Sequence, residues 1–149
     1  MRLIVQRVSE ASCKVDGKIT GQIDQGFMVL VGLGLNDDEA VVKKMAEKFS
    51  KLRIFEDENG KINRSIYDVE GRVLSISQFT LYADCAKGNR PSFTDALGGE
   101  KAKQLYDLFN TCLRDLGLQV EEGIFGADMK IALVNDGPVT IILDSEVLW

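Results

Sequence analysis

The chain has 149 residues, 45% of them apolar, and a formal charge of −5. That length and apolar content suit one packed domain, residues 1–149, and exclude a disordered chain. The acidic balance counts against an extended nucleic-acid groove, and no apolar run reaches the roughly 18 residues of a membrane span.

Histidine is absent, which removes Ser-His-Asp and Cys-His nucleophile systems and imidazole metal sites. Cys13, Cys85 and Cys112 lack Cys-x-x-Cys spacing and read as free thiols of a reducing compartment. The first residues alternate as a strand does and carry no signal-peptide pattern, so the cytoplasm is the expected location.

Residues 1–8 read as the first strand. Val15-Asp16-Gly17-Lys18-Ile19 carries the Asp-Gly of a tight hairpin. The apolar run from Phe27 to Leu35 suits a buried central strand. Gly32-x-Gly34 lies inside it, but no third glycine follows at dinucleotide-binding spacing. Asn36 is placed to cap a helix that ends near Leu52, with Asp37, Asp38 and Glu39 in its first turn and Val42, Met45, Ala46 and Phe49 as its apolar stripe. Glu58-Asn59-Gly60-Lys61 predicts a second hairpin turn. A strand at Arg72–Gln78 follows, then a loop from Ala83 to Phe93. The second helix spans about Gly99 to Leu116, with Ala102, Leu105, Phe109, Cys112 and Leu116 on one face and Gly117 as its stop. Two strands close the chain, Met129–Val134 and Val139–Leu143, joined by a turn at Asn135–Pro138. The sum is an α+β domain: a mostly antiparallel sheet or small barrel with two main helices on one side.

Two polar segments stand at strand ends. Ser77, Gln78 and Thr80 suit either an exposed strand edge or a site. In a site, Gln78 donates to a carbonyl, Thr80 orients a water or hydroxyl, and the N–H groups of Phe79 and Thr80 face an oxyanion. Gly137-Pro138, bracketed by Asn135 and Thr140, suits either a hairpin corner or a specialised backbone element. Lys87-Gly88-Asn89-Arg90 suits a solvated loop or a local anion contact. The acidic residues show no metal-site spacing, and no metal or other cofactor is expected.

Taken together, several segments resemble the D-aminoacyl-tRNA deacylase family. They are Gln6–Ser12, Leu52–Asp57, Ser77–Asp84, Lys87-Gly88, Arg90–Phe93, Phe125–Met129 and Asn135–Thr140, in order and over nearly the full length. The resemblance implies a homodimer of β-barrel-like subunits. It also implies a cis Gly137-Pro138 dipeptide inserted into the partner subunit's site. The expected partner is the 3′ end of an aminoacyl-tRNA, and the expected reaction is hydrolysis of its D-aminoacyl or glycyl ester. Ser77, Gln78, Phe79 and Thr80 would line the catalytic site. Phe125 and Met129 would hold the terminal adenine, and Gly137 and Pro138 would select chirality. An aminoacyl ester is already activated, so positioning and oxyanion stabilisation suffice in principle. The competing expectation is a non-catalytic module that binds an RNA 3′ end or a nucleotide.

Overall fold

The computed structural model describes residues 1–149. β1 (Arg2–Val15) is the organising strand. One of its edges pairs antiparallel first with β3 (Gly26–Gly32) and further along with β2 (Lys18–Ile23). The other edge pairs with β8 (Lys130–Asp144) over most of its length. Beyond β3 the sheet continues in parallel through β6 (Arg72–Ser77) to β7 (Val120–Glu122). β2 then comes back toward β7: a Cβ on Gly21 would stand 2.8 Å from the Glu122 carbonyl oxygen. The sheet is therefore mixed and nearly closed into a barrel, where the sequence predicted a mostly antiparallel one. β4 (Phe55–Glu56) and β5 (Ile62–Arg64) form a separate hairpin around Gly60.

The helices follow their apolar periodicity. α1 (Glu39–Ser50) buries Val42, Met45, Ala46 and Phe49. Its cap is Asp38, whose carboxylate accepts from the Val41 N–H, two residues later than the expected Asn36. α2 (Gly99–Asp115) buries Ala102, Leu105, Tyr106, Phe109 and Leu113. Leu116, expected on that face, is exposed because the helix ends before it at the Gly117 stop. A short α3 (Ser145–Leu148) ends the chain. None of the helices is long and apolar enough to cross a membrane.

Both long helices cover one face of the sheet. Phe27, Phe49, Phe55 and Phe109 meet there with ring centroids 5.0 to 5.9 Å apart, at the centre of a cluster of 23 buried residues. Each such ring contributes about 1.5–3 kcal/mol by leaving water. A smaller cluster of Val8, Ala11, Cys13, Ile23, Met28, Leu74 and Ile76 forms a second core, with Met129, Ile131 and Leu133 partly buried against it. The three cysteines are free thiols.

The last two predicted strands are a single one. β8 runs through Asn135–Pro138 without turning back. Its ladder to β1 breaks there: Asn135 pairs with Val8 and Thr140 with Gln6, so residues 136–139 are pushed out of register as a bulge.

Candidate active site

The end of β6 leads into a 3₁₀-helix, Phe79–Tyr82. This short helix lies against the C-terminal end of β3, where a Cβ on Gly32 would stand 2.9 Å from Leu81 Cβ and one on Gly34 2.7 Å from the Tyr82 ring. The Gly32-x-Gly34 pair is thus a seat for close packing. Gln78 is fixed at the junction by its N–H to the Val31 carbonyl, 2.8 Å. The N–H groups of Phe79 and Thr80 open the 3₁₀-helix and have no acceptor within it. The Gln78 side-chain amide donates to the Thr80 hydroxyl.

Opposite this junction, the turn closed by the Ala127 N–H to the Ile124 carbonyl carries Phe125. Between the two lies a cavity of about 260 Å³, into which Ser77, Gln78, Phe79, Phe125 and Met129 all contribute. Phe125, Met129 and Ile131 make one side largely apolar, with Asp128 also bordering it, and Ser77 and Gln78 make the other end polar. Met129 rests over Gly123, where a Cβ would collide with its sulfur and stand 3.2 Å from Ile76 Cδ1. Phe125 leans on Tyr106 at 6.0 Å, and the Tyr106 hydroxyl donates 2.8 Å to the Ser75 carbonyl. One side chain of α2 therefore ties both walls together. Burial pushes the Tyr106 hydroxyl pKa up, which keeps that donor protonated.

Thr80 does not line the cavity; its side chain meets the site through Gln78. Gly137 and Pro138 are not in it either. They sit exposed on the β8 bulge, joined by a cis peptide bond as the resemblance implied. Side-chain hydrogen bonds close the base of the bulge. Asn135 donates to the Thr140 hydroxyl at 3.1 Å and accepts from the Val139 N–H at 3.1 Å.

Arg7 anchors the bulge from below. It is 4% exposed, and it donates to the Asp136 and Ile54 carbonyl oxygens at 2.9 Å each. Glu56 and Asp136 carboxylates stand 3.7 and 3.9 Å away and balance its charge. Arg7 is not among the motif residues expected at the site, though the strand pattern carries a signal for it. It shares the parity of the inward-facing Leu3 and Val5, so a period of two places a guanidinium inside. Beneath the bulge a polar cavity of about 440 Å³ is bordered by Arg7, Glu56, Arg64, Asp68 and Asp136, with cations and carboxylates interleaved.

Comparison with known proteins matches residues 4–144 to the family described as D-Tyr-tRNA(Tyr) deacylase. Relatives named D-aminoacyl-tRNA deacylase include one from Brevibacillus brevis, 57% identical over 97% of this chain and 100% of its own. Another, from Clostridium novyi, is 56% identical over 98% of both chains. Among solved structures, one titled c-Myc DNA Unwinding Element Binding Protein superposes with a TM-score of 0.90 at 40% identity, covering 97% of this chain and 98% of that one. A probable eukaryotic D-amino acid tRNA deacylase shares the fold, with a TM-score of 0.82 at 17% identity over 95% of this chain and 97% of that one.

Proposed function

The chain belongs to the D-Tyr-tRNA(Tyr) deacylase family, and from that premise we propose that it hydrolyses the ester joining a D-amino acid to the terminal adenosine of tRNA. Glycine mischarged onto tRNA is a second substrate. The observation that carries this is the cavity itself. It puts a polar strand end and the first residue of the 3₁₀-helix, Phe79, beside an apolar slot between Phe125 and Met129.

In this mechanism the adenine enters the Phe125–Met129 side. The ester carbonyl lies at the Ser77–Gln78 end, where the N–H groups of Phe79 and Thr80 polarise it as charge develops on oxygen. The 2′-hydroxyl of the substrate, or a water it orients, assists the attack. Thr80 positions these groups through its hydrogen bond to Gln78 and is not the nucleophile, because no base lies beside it to take its proton. Thr80→Ala therefore retains measurable turnover, whereas a trapped acyl-Thr80 ester would contradict this role.

The protein acts as a homodimer in which each bulge completes the other subunit's cavity. Two features support this. β8 uses one edge for β1 and leaves the other unpaired along 15 residues, with Val134 and Ile142 48% and 68% exposed, a surface that invites pairing. The bulge leaves Gly137 and Pro138 exposed and outside the cavity of their own chain. Their carbonyls crowd one side of the substrate α-carbon, so an L side chain collides while a D side chain points outward. Because backbone does the rejecting, many D-amino acids are accepted and achiral glycine is not refused. The overall acidity fits a protein that grips only the tip of an RNA.

Deacylation of matched D-Tyr-tRNA and L-Tyr-tRNA by the purified protein tests the proposal. Rapid loss of the D-ester alone supports it. Retained adenosine binding with neither ester turned over would instead make the chain a non-catalytic RNA-end module.

A further inference from the structure

Phe79 is 55% exposed, although it borders the cavity. Phe93, 38% exposed, meets it edge to face at 5.1 Å and lies outside the cavity lining. The two rings thus carry an apolar surface from the edge of the cavity onto the open face of the molecule. Phe93 is held in place from behind. The next residues bond back to the core, with the Ala96 N–H on the Phe93 carbonyl and the Leu97 N–H on the Leu33 carbonyl.

Between the two rings in sequence the chain folds into a small hairpin. Asp84 and Ser92 exchange both backbone hydrogen bonds at 2.8 Å, and the Asp84 carboxylate is occupied by the Ala86 N–H. The tip of that hairpin is Lys87-Gly88-Asn89-Arg90. Lys87 and Arg90 are exposed and form no ion pair, in a molecule whose other side chains sum to an acidic surface.

Exposed aromatic rings beside unpaired cations are the means by which proteins hold single-stranded nucleic acid: bases stack on the rings and cations meet the phosphates. We propose that Phe79, Phe93 and the Lys87–Arg90 tip form a second subsite, for the nucleotides immediately 5′ of the terminal adenosine. This rests on the RNA 3′ end being the occupant of the cavity. Of the two readings the basic tetrapeptide allows, the subsite takes the anion contact. The Phe79 backbone serves the ester while its ring serves the strand.

The test is binding of the trinucleotide 5′-CpCpA-3′ against adenosine 5′-monophosphate, followed by calorimetry on the full-length protein. The parent is expected to prefer the trinucleotide by about tenfold or more, one stacked base being worth at least that order. Phe93→Ala should bring the two affinities together while leaving the adenosine 5′-monophosphate affinity in place. Lys87→Ala with Arg90→Ala should flatten the salt dependence of trinucleotide binding by about 0.7 in log–log slope per phosphate contact. Equal affinities in the parent, or an unchanged preference in both variants, would overturn the subsite. So would a change of sedimentation coefficient in Phe93→Ala, which would mean that a second copy of the chain covers the rings. A preserved trinucleotide preference with no turnover of D-Tyr-tRNA would sink the deacylase reading and leave the subsite standing.

Discussion

The cavity and the bulge are held by opposite kinds of force. The cavity is shaped by packing: Met129 over Gly123, Phe125 on Tyr106, the 3₁₀-helix pressed onto Gly32 and Gly34. The bulge exposes Asp136, Gly137 and Pro138, packs only Val139 against the core, and is otherwise held by polar contacts, with Arg7 beneath and Asn135 and Thr140 across its base. One is a hole whose walls are apolar and continuous with the core. The other is a projection whose position depends on a few hydrogen bonds. Their difference suggests separate roles, with affinity for the adenosine residing in the cavity and discrimination between mirror-image substrates residing in the bulge.

Removing Arg7 should break the contrast most severely. Arg7→Ala leaves the Asp136 and Ile54 carbonyls without their donor and uncovers the Glu56 carboxylate. Glu56 and Asp136 are more than half exposed and keep their hydration, so the loss comes from the two carbonyls left without a donor, about 1–3 kcal/mol each, which chemical denaturation will show as a lower midpoint. D-over-L selectivity should collapse with it, while adenosine affinity in the surviving folded protein stays within about a factor of two of the parent, since nothing Arg7 touches borders the cavity.

A smaller and cleaner effect is expected at Gly137. Its φ of +136° is one that L side chains rarely adopt, and a Cβ there would stand 2.8 Å from Val139 Cγ2 and 3.0 Å from the Val139 N. Gly137→Ala should cost about 1–3 kcal/mol of stability. Turnover of D-Tyr-tRNA should fall by more than binding of adenosine does. A variant with unchanged selectivity would show that the bulge does not read chirality.

On the cavity side, Phe125→Ala should raise KM for D-Tyr-tRNA about tenfold with kcat little changed, the behaviour of a lost base-stacking surface. If kcat falls and KM holds, Phe125 acts on the reacting ester instead of the adenine.

The smallest expected effect is alkaline. Burial pushes the pKa of Tyr82 and of Tyr106 above the ordinary tyrosine value. A group raised in the folded state binds its proton more tightly there than in the unfolded chain. Its contribution is complete below about pH 10 and is lost as pH rises through the folded value. Urea midpoints should therefore be flat from pH 7 to 9 and decline above, and Tyr106→Phe should decline less steeply.

Local patterns carried the elements well. The apolar spacing of Val42, Met45, Ala46 and Phe49 located α1, and Asp-Gly and Asn-Gly located both hairpins. Long-range decisions were less legible. The direction of β6 and β7 against β3 depends on how two crossovers return, which no local pattern records, and so the mixed character of the sheet was missed. Gly137-Pro138 read as a chain reversal because a strand carrying Gly-Pro ordinarily ends there; β1 is long enough to template both sides of the bulge and keeps β8 whole. Within the site, Ser77, Gln78, Phe79, Phe125 and Met129 were legible as motif residues and do share one cavity. Thr80 stands one hydrogen bond behind it, because the 3₁₀-helix turns its side chain toward Gln78. Tyr106 escaped notice since its role is to join two walls that are distant in sequence.

The most direct test of the account is subunit complementation. Ala127→Trp fills the cavity, and Gly137→Val spoils the bulge; each alone should abolish turnover of D-Tyr-tRNA. Co-expressed in equal amounts, the two variants pair at random, and only mixed dimers hold one intact cavity facing one intact bulge. Recovery of about a quarter of the parent rate is expected, one site in four being whole under two-fold symmetry. No recovery in a mixture shown by mass spectrometry to contain mixed dimers would contradict it.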